Sequence, residues 1–127
     1  MSKHIKVVVI PVSLEVKPYV AEIDDDYRSY YPLIGCRTFD VVRLYYKDGK
    51  SVDAFVDDEG QINGSPVNEY WLRSYYLNKV HYPLYGISVI TITDENSGES
   101  ADMDFGLVRE TLLELGFINS ELDEVTD

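Results

Sequence analysis

Apolar and polar positions along this chain sort into five blocks that read as strands and three that read as helices. His4 to Pro11 is rich in β-branched residues and stops at a proline, which cannot donate to a ladder, so it predicts a first strand. Glu15 to Ile23 alternates from Val16 onward, and Pro18 assigns this second strand to an edge, joined to the first by a hairpin across Val12 to Leu14. Asp24, Asp25 and Asp26 can cap a short helix, which Pro32 should end near Tyr31, give or take a turn. Phe39 to Tyr46 and Ser51 to Val56 flank Asp48-Gly49, the strongest hairpin signal in the chain.

Asn68 can cap a helix from Glu69 to Leu77, in which Trp71 and Tyr75, and Leu72 and Tyr76, stand four apart and predict a buried aromatic stripe. Leu84 to Thr93 alternates almost strictly, as a central strand would. A last, amphipathic helix begins near Asp104 and repeats apolar side chains at Phe105, Val108, Leu112 and Leu115. It stops at Gly116, with Phe117 placed for the contact that accompanies a glycine stop. This order predicts a single α+β domain with a largely antiparallel sheet and two or three helices.

At 127 residues and 45% hydrophobic content the chain can build one core without staples. Cys36 is the only cysteine, the amino-terminal apolar run is too short for a signal segment, and no stretch reaches the roughly 20 residues of a spanning helix. Those features imply a soluble, cytoplasmic protein with no membrane partner. Charge is uneven: residues 1–79 hold ten Lys and Arg against twelve Asp and Glu, whereas residues 80–127 hold eleven acids against Arg109 alone. An acidic field repels phosphates and anionic headgroups, so direct nucleic-acid binding is not expected, and a basic partner is.

Sequence motifs for chemistry fail on their context. Asp104-Phe105-Gly106 imitates the metal-binding triplet of kinases, but no glycine-rich loop or catalytic loop accompanies it. The acidic loop from Asp94 has its glycine out of place for a calcium hand and Phe105 where a bidentate Glu belongs. His4 and His81 are the only histidines, and Cys36 has no Cys or nearby His, so neither zinc nor a Cys36–His81 nucleophile pair is indicated over a small buried thiol. The expectation is a protein that is not an enzyme and uses no metal or cofactor.

Ala54-Phe55-Val56-Asp57-Asp58-Glu59-Gly60, followed by Gly64-Ser65-Pro66-Val67-Asn68, carries a resemblance. It resembles the centre of a bacterial and phage family known as domain of unknown function 3846, in which a strand ends in Asn-Glu-Glu-Gly and continues through Gly-Leu-Pro to an Asn. Here Asp57 replaces the first Asn, and Gly35-Cys36 stands where the family has Gly-Gly. On these motifs the likeness spans residues 5–93, so residues 1–93 are read as a family-like core and 94–127 as an acidic loop, helix and tail packed on the same domain. The resemblance implies a phage or mobile-element setting, and with it a host-directed or counter-defence role.

Two functions fit this reading. In the first, a non-catalytic inhibitor docks Asp94, Glu95, Glu99, Asp102, Asp104, Glu110 and Glu114 onto a basic, nucleic-acid-binding protein, with carboxylates in place of phosphates. In the second, Tyr45, Asp57, Gly60, Asn63, Asn68 and Trp71 line a pocket for a nucleotide-like molecule or metabolite. All eleven tyrosines lie between Tyr19 and Tyr85, and the Tyr45-Tyr46 doublet puts one ring on each face of its strand, so one of the two is offered to a surface.

Overall fold

The computed structural model describes residues 4–24, 27–34, 39–57, 59, 64–97 and 103–118. Strands β1 (His4–Ile10), β2 (Tyr19–Asp24), β3 (Phe39–Lys47), β4 (Lys50–Asp57) and β5 (Ser88–Asp94) form one sheet in the order β2-β1-β5-β4-β3, every neighbouring pair antiparallel. A 3-10 turn (Tyr27–Ser29) leads into α1 (Tyr30–Ile34), and the longer helices are α2 (Glu69–Tyr76) and α3 (Phe105–Glu114). This is the α+β architecture that the periodicity predicts, with β2 on an edge and β5 at the centre.

Each face of the sheet carries its own core. Val8, Ile10, Val52, Ala54, Ile90 and Ile92 meet Tyr70 and Trp71 of α2, Val108 and Leu112 of α3, and Phe117. On the opposite face Ile5, Val7 and Val89 pack with Tyr30 and Ile34, and Tyr30 lies 4.2 Å from Phe55, centroid to centroid. The β3–β4 hairpin closes through Asp48 (φ 53°) and Gly49 (φ 80°), the two positive φ angles that a type I′ turn requires.

Local departures from the sequence reading have physical causes. The β1–β2 connection runs from Pro11 to Pro18, longer than Val12 to Leu14, because neither proline can donate to the ladder and pairing begins only at Val9 opposite Tyr19. The helix containing Pro32 ends at Ile34, within the turn expected around Tyr31, and tolerates the proline because Pro32 falls in the first turn of α1, where its missing N–H has no intrahelical acceptor to lose. Strand β5 starts at Ser88 rather than Leu84: Gly86, at φ 83°, turns the chain, and the preceding residues are held instead by a bridge between Val67 and Tyr85.

Helix faces shift as well. In α2 the buried residues are Tyr70, Trp71 and Ser74, while Tyr75 and Tyr76 stand exposed, so the aromatic stripe is divided between core and surface. In α3 the buried residues are Leu107, Val108, Thr111 and Leu112, and Phe105 is exposed at the first helical position after its cap, Asp104. The glycine stop forms as expected: Phe117 N–H donates to Leu112 O (2.8 Å), Gly116 N–H donates to Leu113 O (3.1 Å), and Gly116 has φ 73°.

Candidate functional site

The Gly64-to-Asn68 motif works first as a latch. Gly86 N–H donates to Pro66 O (2.8 Å) and Asn68 N–H donates to Leu84 O (2.8 Å), so the motif pins the approach to β5. Asn68 itself is fully buried. Its Oδ1 accepts from Tyr70 N–H (3.0 Å) and Trp71 N–H (3.3 Å), capping α2. Its Nδ2 donates to Ile10 O (3.2 Å), Pro11 O (3.1 Å) and Gly86 O (2.9 Å). One side chain thus ties the end of β1, the start of α2 and the approach to β5, with both polar atoms spent on backbone.

Other members of the small-ligand set scatter. Asp57 Oδ1 accepts from Glu59 N–H (2.9 Å) and shapes the turn after β4. Tyr45 packs against the core beneath α2 and α3, and its neighbour Tyr46 is exposed, the division between faces that the doublet predicts. Trp71 is buried and donates from Nε1 to Ser88 Oγ (2.8 Å). Gly60 and Asn63 lie outside the described residues.

Most of the carboxylates singled out in the carboxyl third are engaged by the chain itself. Asp94 accepts from Asn96 N–H (2.9 Å) in the turn that follows β5, and Asp104 accepts from Leu107 N–H (3.0 Å) as the cap of α3, which is what its kinase-like triplet amounts to here. Glu95 is paired with Arg43, and Glu110 lies 3.5 Å from Lys47 Nζ. Glu114 is exposed and has no such partner among the described residues. Glu99 and Asp102 lie outside the described residues, as does Cys36, so its pairing with His81 has no described geometry.

A cleft that sequence spacing gave no hint of opens where β3 meets the segment between α2 and β5. Its apolar wall comes from Val42, Leu44, Trp71, Val80, Leu84 and Leu115, and its volume is ≈ 180 Å³. Arg43, Lys79, His81 and Tyr82 complete the lining. A β-bulge helps to shape it: Arg43 pairs with Asp53 and Tyr45 with Val52, so Leu44 is the extra residue and packs toward the helices together with Tyr45. Along the stretch that runs from α2 into the cleft lining the chain exposes Tyr75, Tyr76, Leu77 and Tyr82, from 41% for Tyr75 to 73% for Tyr76, and the rings of Tyr75 and Tyr76 lie 5.7 Å apart.

Sequence reasoning also passed over Asp53, a buried carboxylate on β4 whose Oδ2 accepts from Ser51 Oγ (2.9 Å) and Thr93 Oγ1 (2.8 Å). Its interruption of the apolar run Val52 to Val56 was the available signal, and two hydroxyls within the sheet account for its burial. Among the described residues no three His, Cys, Asp or Glu side chains come together as metal ligands, and no helix is long and apolar enough to cross a membrane.

No curated protein and no solved structure matches this chain. A family model does, over residues 5–112. That match reaches past β5 and through most of α3, so the helix set outside the likeness on motif grounds lies inside it. On this match the chain belongs to the family described as Domain of unknown function (DUF3846).

Proposed function

We propose that the protein works without catalysis, by binding another protein through the exposed aromatic stretch from Tyr75 to Tyr82. The observation that carries this reading is the exposure of Tyr75, Tyr76, Leu77 and Tyr82 within one short stretch of chain, with Tyr82 lining an apolar cleft. Scattered apolar residues are ordinary on a protein surface, but grouped ones mark contact sites, and tyrosine is enriched at the centres of interfaces. The phage and mobile-element setting implied by the resemblance makes a host or defence protein the target in this reading.

Two other forms have less behind them. Phosphate mimicry by the carboxyl third keeps Glu114 as the described carboxylate free for a basic groove, since Asp94, Glu95, Asp104 and Glu110 already serve the chain's own turns, cap and ion pairs. Recognition of a whole metabolite asks more room than the cleft has, because small-molecule pockets start near roughly 300 Å³.

Capture from host lysate, identified by mass spectrometry at low salt and at about 0.5 M salt, separates these forms. The Tyr76→Ser/Tyr82→Ser variant should lose the captured protein at both salts, with affinity down at least about tenfold, because tyrosine is enriched among the hot spots whose truncation costs about 2 kcal/mol or more. Both side chains are exposed, so the variant should fold. If Glu110→Lys/Glu114→Lys loses the partner instead and the tyrosine variant keeps it, the carboxylate form replaces this one.

A further inference from the structure

The side chains lining the cleft run against the charge of the chain. The sequence carries a formal net charge of −12, yet the cleft is lined by Arg43, Lys79 and His81 and by no carboxylate. Arg43 is held by Glu95 at the edge of the site, whereas the Lys79 and His81 side chains are exposed and have no hydrogen bond or ion pair among the described residues. Between these basic side chains the wall is apolar, formed in part by Trp71, Leu84 and Leu115.

Size limits the occupant. An apolar cavity of about 150 Å³ holds a benzene-sized group. The ≈ 180 Å³ here therefore suits one aromatic or large aliphatic side chain and not a complete nucleotide. From this size and this charge we infer that the cleft receives a single bulky apolar side chain from an acidic segment of the bound protein, with carboxylates beside that anchor meeting Lys79 and His81. The inference rests on the protein-binding reading above and deepens it by naming the chemistry of the partner's contact segment.

Trp71 lines the cleft and is the only tryptophan in the chain, so its indole N–H signal is assigned without ambiguity. The test is a titration of the isotope-labelled full chain, followed by NMR, with the end-blocked peptide Glu-Asp-Phe-Asp-Glu. Controls are Glu-Asp-Ala-Asp-Glu, Lys-Lys-Phe-Lys-Lys and adenosine monophosphate. The acidic phenylalanine peptide should shift the Trp71 indole and the Val80 and Leu84 amides. Loss of the anchor, reversal of the peptide's charge, or the Lys79→Glu/His81→Glu variant should each weaken binding at least about tenfold, the equivalent of one decade in Kd. Equal binding by either control peptide, a stronger response to the nucleotide at the same signals, or no shift up to about 5 mM, well beyond a millimolar Kd, overturns the inference. Peptide failure combined with loss of capture by Tyr76→Ser/Tyr82→Ser removes this inference and leaves the protein-binding reading standing. Unchanged capture by that variant removes the protein-binding reading, and with it this inference, since Tyr82 lines the cleft.

Discussion

Asn68→Asp should destabilise the protein by about 3–5 kcal/mol, the scale on which an uncompensated buried charge costs. Aspartate is as good a helix cap as asparagine, so a residue that merely capped α2 would tolerate the change. Asn68 does more than cap. Its Nδ2 faces the carbonyl oxygens of Ile10, Pro11 and Gly86, and a carboxylate oxygen in that place would oppose three acceptors, with no exposure to water. Asn68→Ala keeps neither cap nor donor but adds no charge, and should cost less, about 2–4 kcal/mol from the lost cap and the orphaned carbonyls. Urea unfolding of the three proteins checks the order. If Asn68→Asp matches wild type within about 0.5 kcal/mol, a surface-like outcome, the latch described here does not exist.

Phe117→Ala should cost about 3–5 kcal/mol, as truncation of a buried phenylalanine does. A typical domain has only about 5–15 kcal/mol in total, so this variant should sit close to the edge of folding. The ring is fully buried and stands edge-on to Trp71, with centroids 5.1 Å apart. The same residue carries the glycine stop of α3 through its bond to Leu112 O, and its own carbonyl accepts from Arg73 of α2. Arg73 Nε also donates to Gly116 O (2.9 Å), so α2 and the end of α3 are fastened at one point. Phe105→Ala is the control, because that ring is exposed and its loss should cost within about 0.5 kcal/mol. Equally large costs for the two variants in thermal or urea unfolding would mean that α3 packs in the register its periodicity predicts, with Phe105 inward.

That contrast shows which features were legible in the sequence. Asp48-Gly49, Asn68, Asp104 and Gly116 each specify their structure through neighbours a few residues away, and each sits where its type predicts, at a hairpin turn, two caps and a stop. Apolar stripes are less decisive, because whether Tyr75 or Phe105 faces inward depends on what lies opposite, and periodicity leaves the stripe free to rotate by a residue. The cleft was illegible for a stronger reason. It joins Arg43, the segment from Lys79 to Leu84, and Leu115, residues far apart in the chain, and its shape depends on a bulge at Leu44 that exists only against the register of β4. Charge misled in a similar way: the carboxyl third is acidic in sequence, but folding lays Glu95 and Glu110 against Arg43 and Lys47 of β3, so part of that charge is answered within the molecule.

Asn68 also explains why the family motif was visible without disclosing a function. A glycine, a proline and an asparagine at that spacing form the latch that positions α2, and α2 in turn carries Trp71 into the cleft and Tyr75 and Tyr76 to the surface. In that arrangement the motif from Gly64 to Asn68 builds the support for the proposed contact surface.

Hydrogen–deuterium exchange on the full chain, alone and bound to the protein it captures, locates that surface. Protein binding through the aromatic stretch requires slowed exchange across Tyr75 to Leu84, with Asp94 to Asn96 and Glu110 to Glu114 unchanged. Protection confined to those two acidic segments, with Tyr75 to Leu84 exchanging as in the free chain, would contradict it.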